Sequence, residues 1–217
     1  MKRIVVTVVL VSASTLQAGV VLTSQWHHVS GSAGFAAPET YDLSADHPIS
    51  GTVSGVGFDG ETATASSSAG GYAVSASVVG SIFSGTADAE STYVFRATCP
   101  ALDIRVFGAT GMYSWDGNEI EYRLKDMTDD EVIFSYASPT SLDYEVVSVD
   151  DTYRVLVEIG HTYELALAAR AAMGDAGSTH SWLNADLQCI PTPGALLLSG
   201  IGAVLTIWRR RRPSGIA

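Results

Sequence analysis

Acidic side chains between residues 126 and 131 form the densest cluster of candidate metal ligands. Asp126, Asp129, Asp130 and Glu131 lie within one short polar segment between two apolar stretches. Calcium takes about six to eight oxygen ligands, which such carboxylates can supply. The spacing differs from that of an EF-hand loop, and a solvated turn is the alternative interpretation. Calcium is therefore the one cofactor that the sequence suggests.

Three aromatic residues in polar surroundings are candidates for contact with a glycan. Tyr113 and Trp115 come just before the Asp116–Gly117 pair, and Trp182 follows a Ser/Thr segment. Flat aromatic rings can stack on the CH faces of sugars, and they offer a large apolar area. Packing of Tyr113 and Trp115 into the core is the alternative.

Catalytic chemistry has little support in the sequence. Glu119, Glu121 and Glu145 lie in strand-like segments, and glycoside hydrolysis needs two carboxylates across a cleft, which the sequence cannot place. There is no GxSxG motif and no histidine spacing typical of a metal site. His27 and His28 are adjacent and should point to opposite faces of a strand. We expect surface or turn histidines, no catalytic residues and no enzyme activity.

These side chains must be positioned by β-strands, because apolar and polar residues alternate along most of the chain. Ile120, Tyr122 and Leu124 share one face of a predicted strand, and residues 72–78, 131–136, 142–149 and 152–159 repeat the pattern. Between His161 and Ala171 the large residues also recur at every second position, which favours a strand over an alanine-rich helix.

Glycine-containing turns support an antiparallel arrangement. Asp116–Gly117 is a typical hairpin signal, and Gly70–Gly71 punctuates an earlier run. The Gly-, Ser- and Ala-rich residues 30–89 could be a flexible stalk, but their valines are spaced as strands require. We predict a mainly β protein with one antiparallel, jelly-roll-like β-sandwich over residues 19–189.

Charge and cysteines point to an exported body. Every one of the 23 acidic residues lies between Glu39 and Asp186, whereas six of the 12 basic residues lie at the two ends of the chain, so the body has a formal net charge of −17. Such a surface repels nucleic acid and anionic lipids. The two cysteines, Cys99 and Cys189, are predicted to form a disulfide, with two separate buried thiols as the alternative.

The carboxy-terminal tail has three parts. Pro191, Thr192, Pro193 and Gly194 break the chain, an apolar run continues to Trp208, and Arg209, Arg210, Arg211 and Arg212 follow. As a helix the run would be about 22 Å long, and it needs help from flanking residues to match a hydrocarbon core of roughly 30 Å. Arginines beside a tryptophan favour a cytoplasmic end for a membrane-anchored precursor.

This tail resembles the PEP-CTERM sorting signal of exported bacterial proteins, with Thr192 at the position of the usual glutamate. The resemblance covers residues 190–212 and implies a transmembrane-type helix and a membrane enzyme of the exosortase type as processing partner. An uncleaved tail anchor is the alternative. At the other end, Lys2 and Arg3, the apolar residues 4–11 and Ala18 predict a signal peptide over residues 1–18.

Together these features predict an exported protein of the cell envelope or extracellular matrix with a structural or adhesive role. The domains expected are a signal peptide (1–18), a β-sandwich body (19–189) and a sorting tail (190–217). The alternative is a carbohydrate-binding module, or a small polysaccharide-active enzyme, on the same scaffold. A calcium-dependent adhesin is a third hypothesis. Expected partners are the membrane, the exosortase-type enzyme and an extracellular polysaccharide, and no nucleic acid.

Overall fold

The structure is a computed structural model that describes residues 20–34, 39–56, 62–80, 85–111, 117–138, 146–173 and 177–190. These residues contain no helix with the length and hydropathy needed to span a bilayer. Their strands, in chain order, are β1 (Val20–Ala33), β2 (Glu39–Ala45), β3 (Ile49–Val56), β4 (Thr62–Gly70), β5 (Ala73–Gly80), β6 (Gly85–Ala97), β7 (Ala101–Gly111), β8 (Glu119–Asp126), β9 (Glu131–Ala137), β10 (Val147–Leu156), β11 (Thr162–Met173) and β12 (Gly177–Cys189).

The strands form an antiparallel β-sandwich of two six-stranded sheets. Sheet I has the order β2-β1-β6-β11-β8-β9, and sheet II has the order β10-β7-β12-β5-β4-β3. One face of each sheet is buried against the other, as period-two alternation predicts. Tyr163, Leu165, Leu167, Ala169 and Ala171 of β11 all point into the core, which confirms the strand prediction for that segment.

Side-chain size differs between the two ends of the sandwich. Near β3 and β4 the core residues are mostly Gly, Ala and Val, and a Cβ on Gly55 would lie 1.9 Å from the carbonyl oxygen of Ala33. At the opposite edge, Phe134 of β9 stacks on Tyr153 of β10 with ring centroids 4.0 Å apart. Small residues therefore let the sheets approach closely at one end, and aromatic rings bridge them at the other.

The Ser- and Gly-rich segment forms strands of both sheets rather than a stalk. It contributes the end of β1, all of β2 to β5 and the start of β6. Ser54–Thr64, Ser66–Ser77 and Ser68–Ser75 form hydroxyl hydrogen bonds of 2.8–2.9 Å between neighbouring strands. Side-chain hydroxyls thus supplement the backbone ladder where large cross-strand partners are missing.

Two local predictions from the sequence were wrong. Asp116–Gly117 was expected to join paired strands, but β7 lies in sheet II, and β8 in sheet I pairs with β9 and β11 on its two sides. Residues 142–149 and 152–159 were read as separate strands, whereas β10 runs without a break through Asp150 and Asp151. Neighbouring side chains compensate these acids: Arg105 binds Asp150, and the Tyr122 hydroxyl donates to Asp151.

The predicted disulfide is present. Cys99, just before β7, is bonded to Cys189 at the end of β12, with a Cα–Cα distance of 6.1 Å. The bond joins residues 90 positions apart in the sequence. It closes a loop that includes three of the six strands of each sheet.

Candidate functional site

An open groove of about 580 Å³ lies on the outer face of sheet II. We call it the Trp182 groove. Its lining residues come from β3, β4, β5, β12 and the turns that join them, and they are Pro48, Ile49, Ser50, Ser68, Ala69, Gly70, Ala73, Val74, Ser75, His180, Trp182 and Asn184. The volume is within the usual range for small-molecule sites, about 300–1,000 Å³.

Strand register aligns the polar groups of the groove. Ser50 is paired with Ser68, Ser68 with Ser75, and Ser75 with Trp182, so these four residues form one row across four strands. His180 and Asn184 flank Trp182 on the same face of β12, because alternate residues of a strand point to the same side. One aromatic ring therefore lies at the end of a row of three serine hydroxyl groups.

Contacts from β7 hold the Trp182 ring. The Phe107 ring meets it edge to face, with centroids 6.1 Å apart and an interplanar angle of 80°. The Arg105 guanidinium carbon lies 5.0 Å from the centre of the Phe107 ring. Arg105 donates two hydrogen bonds, of 2.7 and 2.8 Å, to the carboxylate of Asp150. This chain of contacts restricts the rotamer of Trp182 before any ligand binds.

The β2–β3 and β4–β5 turns pack tightly against each other and close one end of the groove. Gly70 has a φ of +145°, and a Cβ at this position would come within 2.5 Å of the Pro48 side chain. Glycine is therefore required both by the backbone conformation and by the approach of the turn before β3. The groove ends at a wall built from backbone and proline.

Asp126 and Asp129, two of the calcium candidates, converge with His161. The Nδ1 atom of His161 lies 3.0 Å from Asp126 Oδ2 and 3.8 Å from Asp129 Oδ2, and its Nε2 atom is 3.1 Å from Glu158 Oε2. A metal ion could be held by one atom from each of Asp126, Asp129 and His161. The sequence analysis missed His161, which the β10–β11 turn brings next to the β8–β9 turn.

Ionisation in this cluster favours an ion pair. The hydrogen bond to Asp126 raises the pKa of His161, although partial burial opposes this. Burial also works against ionisation of Asp126, but His161 and the backbone N–H groups of Thr128 and Asp129 outweigh it and hold the pKa of Asp126 below its usual value. The cluster of Asp126, Asp129, Glu158 and His161, which we call the His161 clasp, therefore joins the β8–β9 and β10–β11 turns through charged groups.

The other acidic candidates lie away from this clasp. Asp130 forms an ion pair with Lys125, and Glu131 is an exposed residue at the start of β9. The structure thus brings together only Asp126 and Asp129 of the four predicted calcium ligands.

Glu119 and Glu121 line shallow grooves on the outer face of sheet I. Glu121 lies opposite Glu90 across Ala168 of β11, in a groove of about 250 Å³. Two residues further along β11 and β6, Arg170 lies 3.6 Å from Asp88. Burial raises the pKa of Asp88 even though this cation opposes the shift. Glu145 is outside the described residues, so it cannot be compared with these carboxylates.

Several predicted sites fall outside the described residues. They are the signal peptide, Tyr113, Trp115, the sorting motif Pro191, Thr192, Pro193 and Gly194, the apolar run and the arginines Arg209, Arg210, Arg211 and Arg212. Trp182 is therefore the one predicted glycan contact whose surroundings can be described.

His27 in β1 differs from expectation. His27 is fully buried, bonded through Nδ1 to Ser91, and its Nε2 has no hydrogen-bond partner in the described structure. Burial lowers the pKa of His27. Trp26, on the outer face of sheet I, is 44% exposed and stacks on His28. The predicted opposite orientation of His27 and His28 is confirmed, but His27 is a core residue and not a surface one.

No protein-family model matches the sequence, and no curated protein matches it at a significant level. The chain is similar to the enzymatically active domain of tailspike protein 4 of bacteriophage CBA120, with 12% identity over 66% of this chain and a TM-score of 0.28. It spans 19% of the length of that tailspike chain.

Two carbohydrate-binding modules are also similar to it. TmCBM61, solved with β-1,4-galactotriose, is 16% identical over 56% of this chain and 73% of its own, with a TM-score of 0.29. The family 11 module of Clostridium thermocellum, solved with a mixed-linked β-1,3-1,4 tetrasaccharide, is 12% identical over 80% of this chain and 97% of its own, with a TM-score of 0.26. Similarities at this level carry no argument about function.

Proposed function

We propose that this chain is an exported protein that binds a carbohydrate in the Trp182 groove. The observation that carries the proposal is a half-buried tryptophan held in place beside a row of serine hydroxyls, within a cavity large enough for an oligosaccharide. Binding sites of this kind combine apolar surface with a few convergent polar groups. The ring supplies the apolar surface, and Ser68, Ser75 and Asn184 supply hydrogen bonds.

The hydroxyl groups of the groove can still bond to a ligand. Ser68 and Ser75 share one hydrogen bond of 2.9 Å, and this pair retains one donor and further acceptor positions. Sugar hydroxyls are both donors and acceptors, so they match this mixture. An amide from Asn184 adds donors and an acceptor at the end of the groove.

Export and sorting are part of the same proposal. Residues 1–18 would act as the signal peptide and residues 190–217 as the sorting tail, which would leave the body at the cell surface or in extracellular polymer. The disulfide between Cys99 and Cys189 is compatible with an oxidising compartment. A protein with this location and a glycan-binding groove would have an adhesive or structural role. We propose no enzymatic activity for it.

Binding is tested by replacing Trp182. Titration calorimetry on the full chain, in a zwitterionic detergent without a sugar headgroup, should show oligosaccharide binding that Trp182→Ala weakens by at least about tenfold, as expected for a central aromatic contact. Trp26→Ala removes an exposed tryptophan from the opposite sheet and should leave the affinity unchanged. Thermal unfolding of both variants establishes that each is folded. Unaltered binding by Trp182→Ala would reject the groove as the site.

Export is tested by the intact mass of the protein recovered from its own host, fraction by fraction. Loss of residues up to about Ala18 and of the tail after about Pro193 is expected for a processed, sorted protein. A mass that retains residues 194–217, found only with membranes, would instead indicate an uncleaved tail anchor.

A further inference from the structure

We infer that the ligand of the Trp182 groove is a neutral, linear oligosaccharide that lies across strands β3, β4, β5 and β12. This inference rests on the proposed carbohydrate-binding function and names the class of sugar. Two independent features carry it: the charge of the groove lining and the direction in which the polar groups are arranged.

The lining of the groove contains no Asp, Glu, Lys or Arg among the described residues. This is unexpected, because the body of the protein has a formal net charge of −17. Three serine hydroxyls, one amide, one imidazole and the indole N–H of Trp182 provide its polar side-chain groups. A ligand there meets dipoles, with no opposite charge in direct contact.

Charged residues near the groove lie outside its lining. Arg105 binds Asp150 on one side of Trp182, and it lies directly across from Asp186 in the strand register. Next to Pro48, His47 Nδ1 lies 3.1 Å from Asp46 Oδ1. These three carboxylates outnumber the Arg105 guanidinium, so the surroundings of the groove are acidic, and no carboxylate, ammonium or guanidinium group lines the groove itself.

A charged sugar would bind poorly in such a site. A carboxylate or ammonium group loses hydration on entering a groove, and it regains this free energy only from a close opposite charge or several hydrogen bonds. Uronates and sulfated sugars would also be repelled by the acidic body. Amino sugars would be attracted at long range but would find no carboxylate among the lining residues.

The row of polar groups gives the direction of the ligand. Ser50, Ser68, Ser75 and Trp182 lie side by side on four neighbouring strands, which places the ends of the row about 14 Å apart. That is the length of a trisaccharide. A linear oligosaccharide lying across the strands would stack one sugar ring on Trp182 and place the hydroxyls of its other sugar units over the serines. An oligosaccharide lying along one strand would contact only one residue of this row.

Matched pairs of oligosaccharides test the inference. The full chain is titrated with β-1,4-linked galactose and galacturonate tetramers, and with glucose and glucosamine tetramers, at about 20 mM and about 500 mM NaCl. We expect a neutral member to bind at least about tenfold more tightly than its charged partner, with a Kd that changes less than about twofold between the two salt concentrations.

A second variant tests the same point by adding a charge. Ser68→Lys places a cation in the groove and should increase affinity for the galacturonate tetramer at low salt by about tenfold, an increase that high salt removes. Ser54→Lys is the matched control, because Ser54 is also exposed on the outer face of sheet II and lies outside the groove. It should leave galacturonate affinity within about twofold of the parent protein.

The outcomes separate this inference from the function on which it depends. Tighter, salt-dependent binding of a charged tetramer that Trp182→Ala abolishes would overturn the neutral-ligand inference and leave carbohydrate binding intact. Absence of binding by any neutral or charged sugar would overturn both. Binding of monosaccharides as tight as that of tetramers would overturn the crosswise, extended arrangement.

Discussion

At the scale of single residues, the side chains that decide the chemistry are held by neighbours from other strands. Trp182 is oriented by Phe107, which lies beneath Arg105. His161, in the β10–β11 turn, is held by Asp126 at the end of β8. Each of these groups gains its role from contacts that are distant in the sequence.

The His161 clasp makes stability depend on pH. Because the pKa of His161 is raised in the folded protein, its ion pair stabilises fully below the unfolded value of about 6.5, and this contribution is lost as pH rises through the folded pKa. We expect the melting temperature to fall as the pH is raised from about 6 through neutrality. His161→Gln should remove this part of the pH dependence.

Thermal unfolding between acid and mildly alkaline pH measures the effect. His47→Gln, at an exposed position beside Asp46, is the control and should leave the profile close to that of the parent protein. A His161→Gln profile that overlays the parent profile would show that the clasp contributes nothing.

At the scale of strands, the sequence period places residues on faces, and residue size then decides how closely the sheets approach. β3 and β4 carry small residues, and at Gly55 the backbone of β3 approaches β1 at a distance that a side chain would prevent. β8, β9 and β10 carry aromatic residues that span a wider gap. Tyr122 donates its hydroxyl proton to Asp151 and contacts the Tyr153 hydroxyl at 2.9 Å, which satisfies polar atoms in that aromatic cluster.

Gly55→Ala tests the close approach of the sheets. The added Cβ would meet the Ala33 carbonyl oxygen at 1.9 Å, so the sheets must separate locally, and we expect a loss of about 1–3 kcal/mol in the free energy of unfolding. Gly111→Ala is the control, because its Cβ would lie 3.6 Å from Val146, an ordinary contact. Chemical denaturation measures both variants, and equal midpoints would contradict the close approach at Gly55.

At the scale of the whole molecule, the disulfide joins the start of β7 to the end of β12, which are neighbours in sheet II. Because the two cysteines are 90 positions apart in the sequence, the bond closes a long loop and strongly restricts the unfolded chain. Loop-closure arguments assign about 4–5 kcal/mol to such a bond.

Reduction of the bond should therefore lower the stability of the whole sandwich. We expect the denaturation midpoint to decrease when reductant is added, and a Cys99→Ala and Cys189→Ala double variant should match the reduced protein. The double variant must be insensitive to reductant, which serves as the internal control. An unchanged midpoint for the parent protein would show that the bond adds little.

Many features of this molecule were predictable from the sequence alone. Period-two alternation predicts β5, β8, β9 and β11 because a strand between a core and water must alternate its side chains. An even number of cysteines predicts the disulfide that the structure contains, whereas export of the acidic body stays a prediction. Trp182 was identified as a glycan candidate because it is a large aromatic residue in a polar segment, and glycan binding there also stays a prediction.

Only the tertiary structure decided which residues meet. Alternation is the same for a strand in either sheet, so it could not show that β7 and β8 lie in different sheets or that Asp116–Gly117 does not join paired strands. Sequence spacing could not bring His161 to Asp126, nor place Ser50, Ser68, Ser75 and Trp182 in one row. Those neighbours depend on strand order and register, which are set by long-range packing and are not encoded in any local pattern.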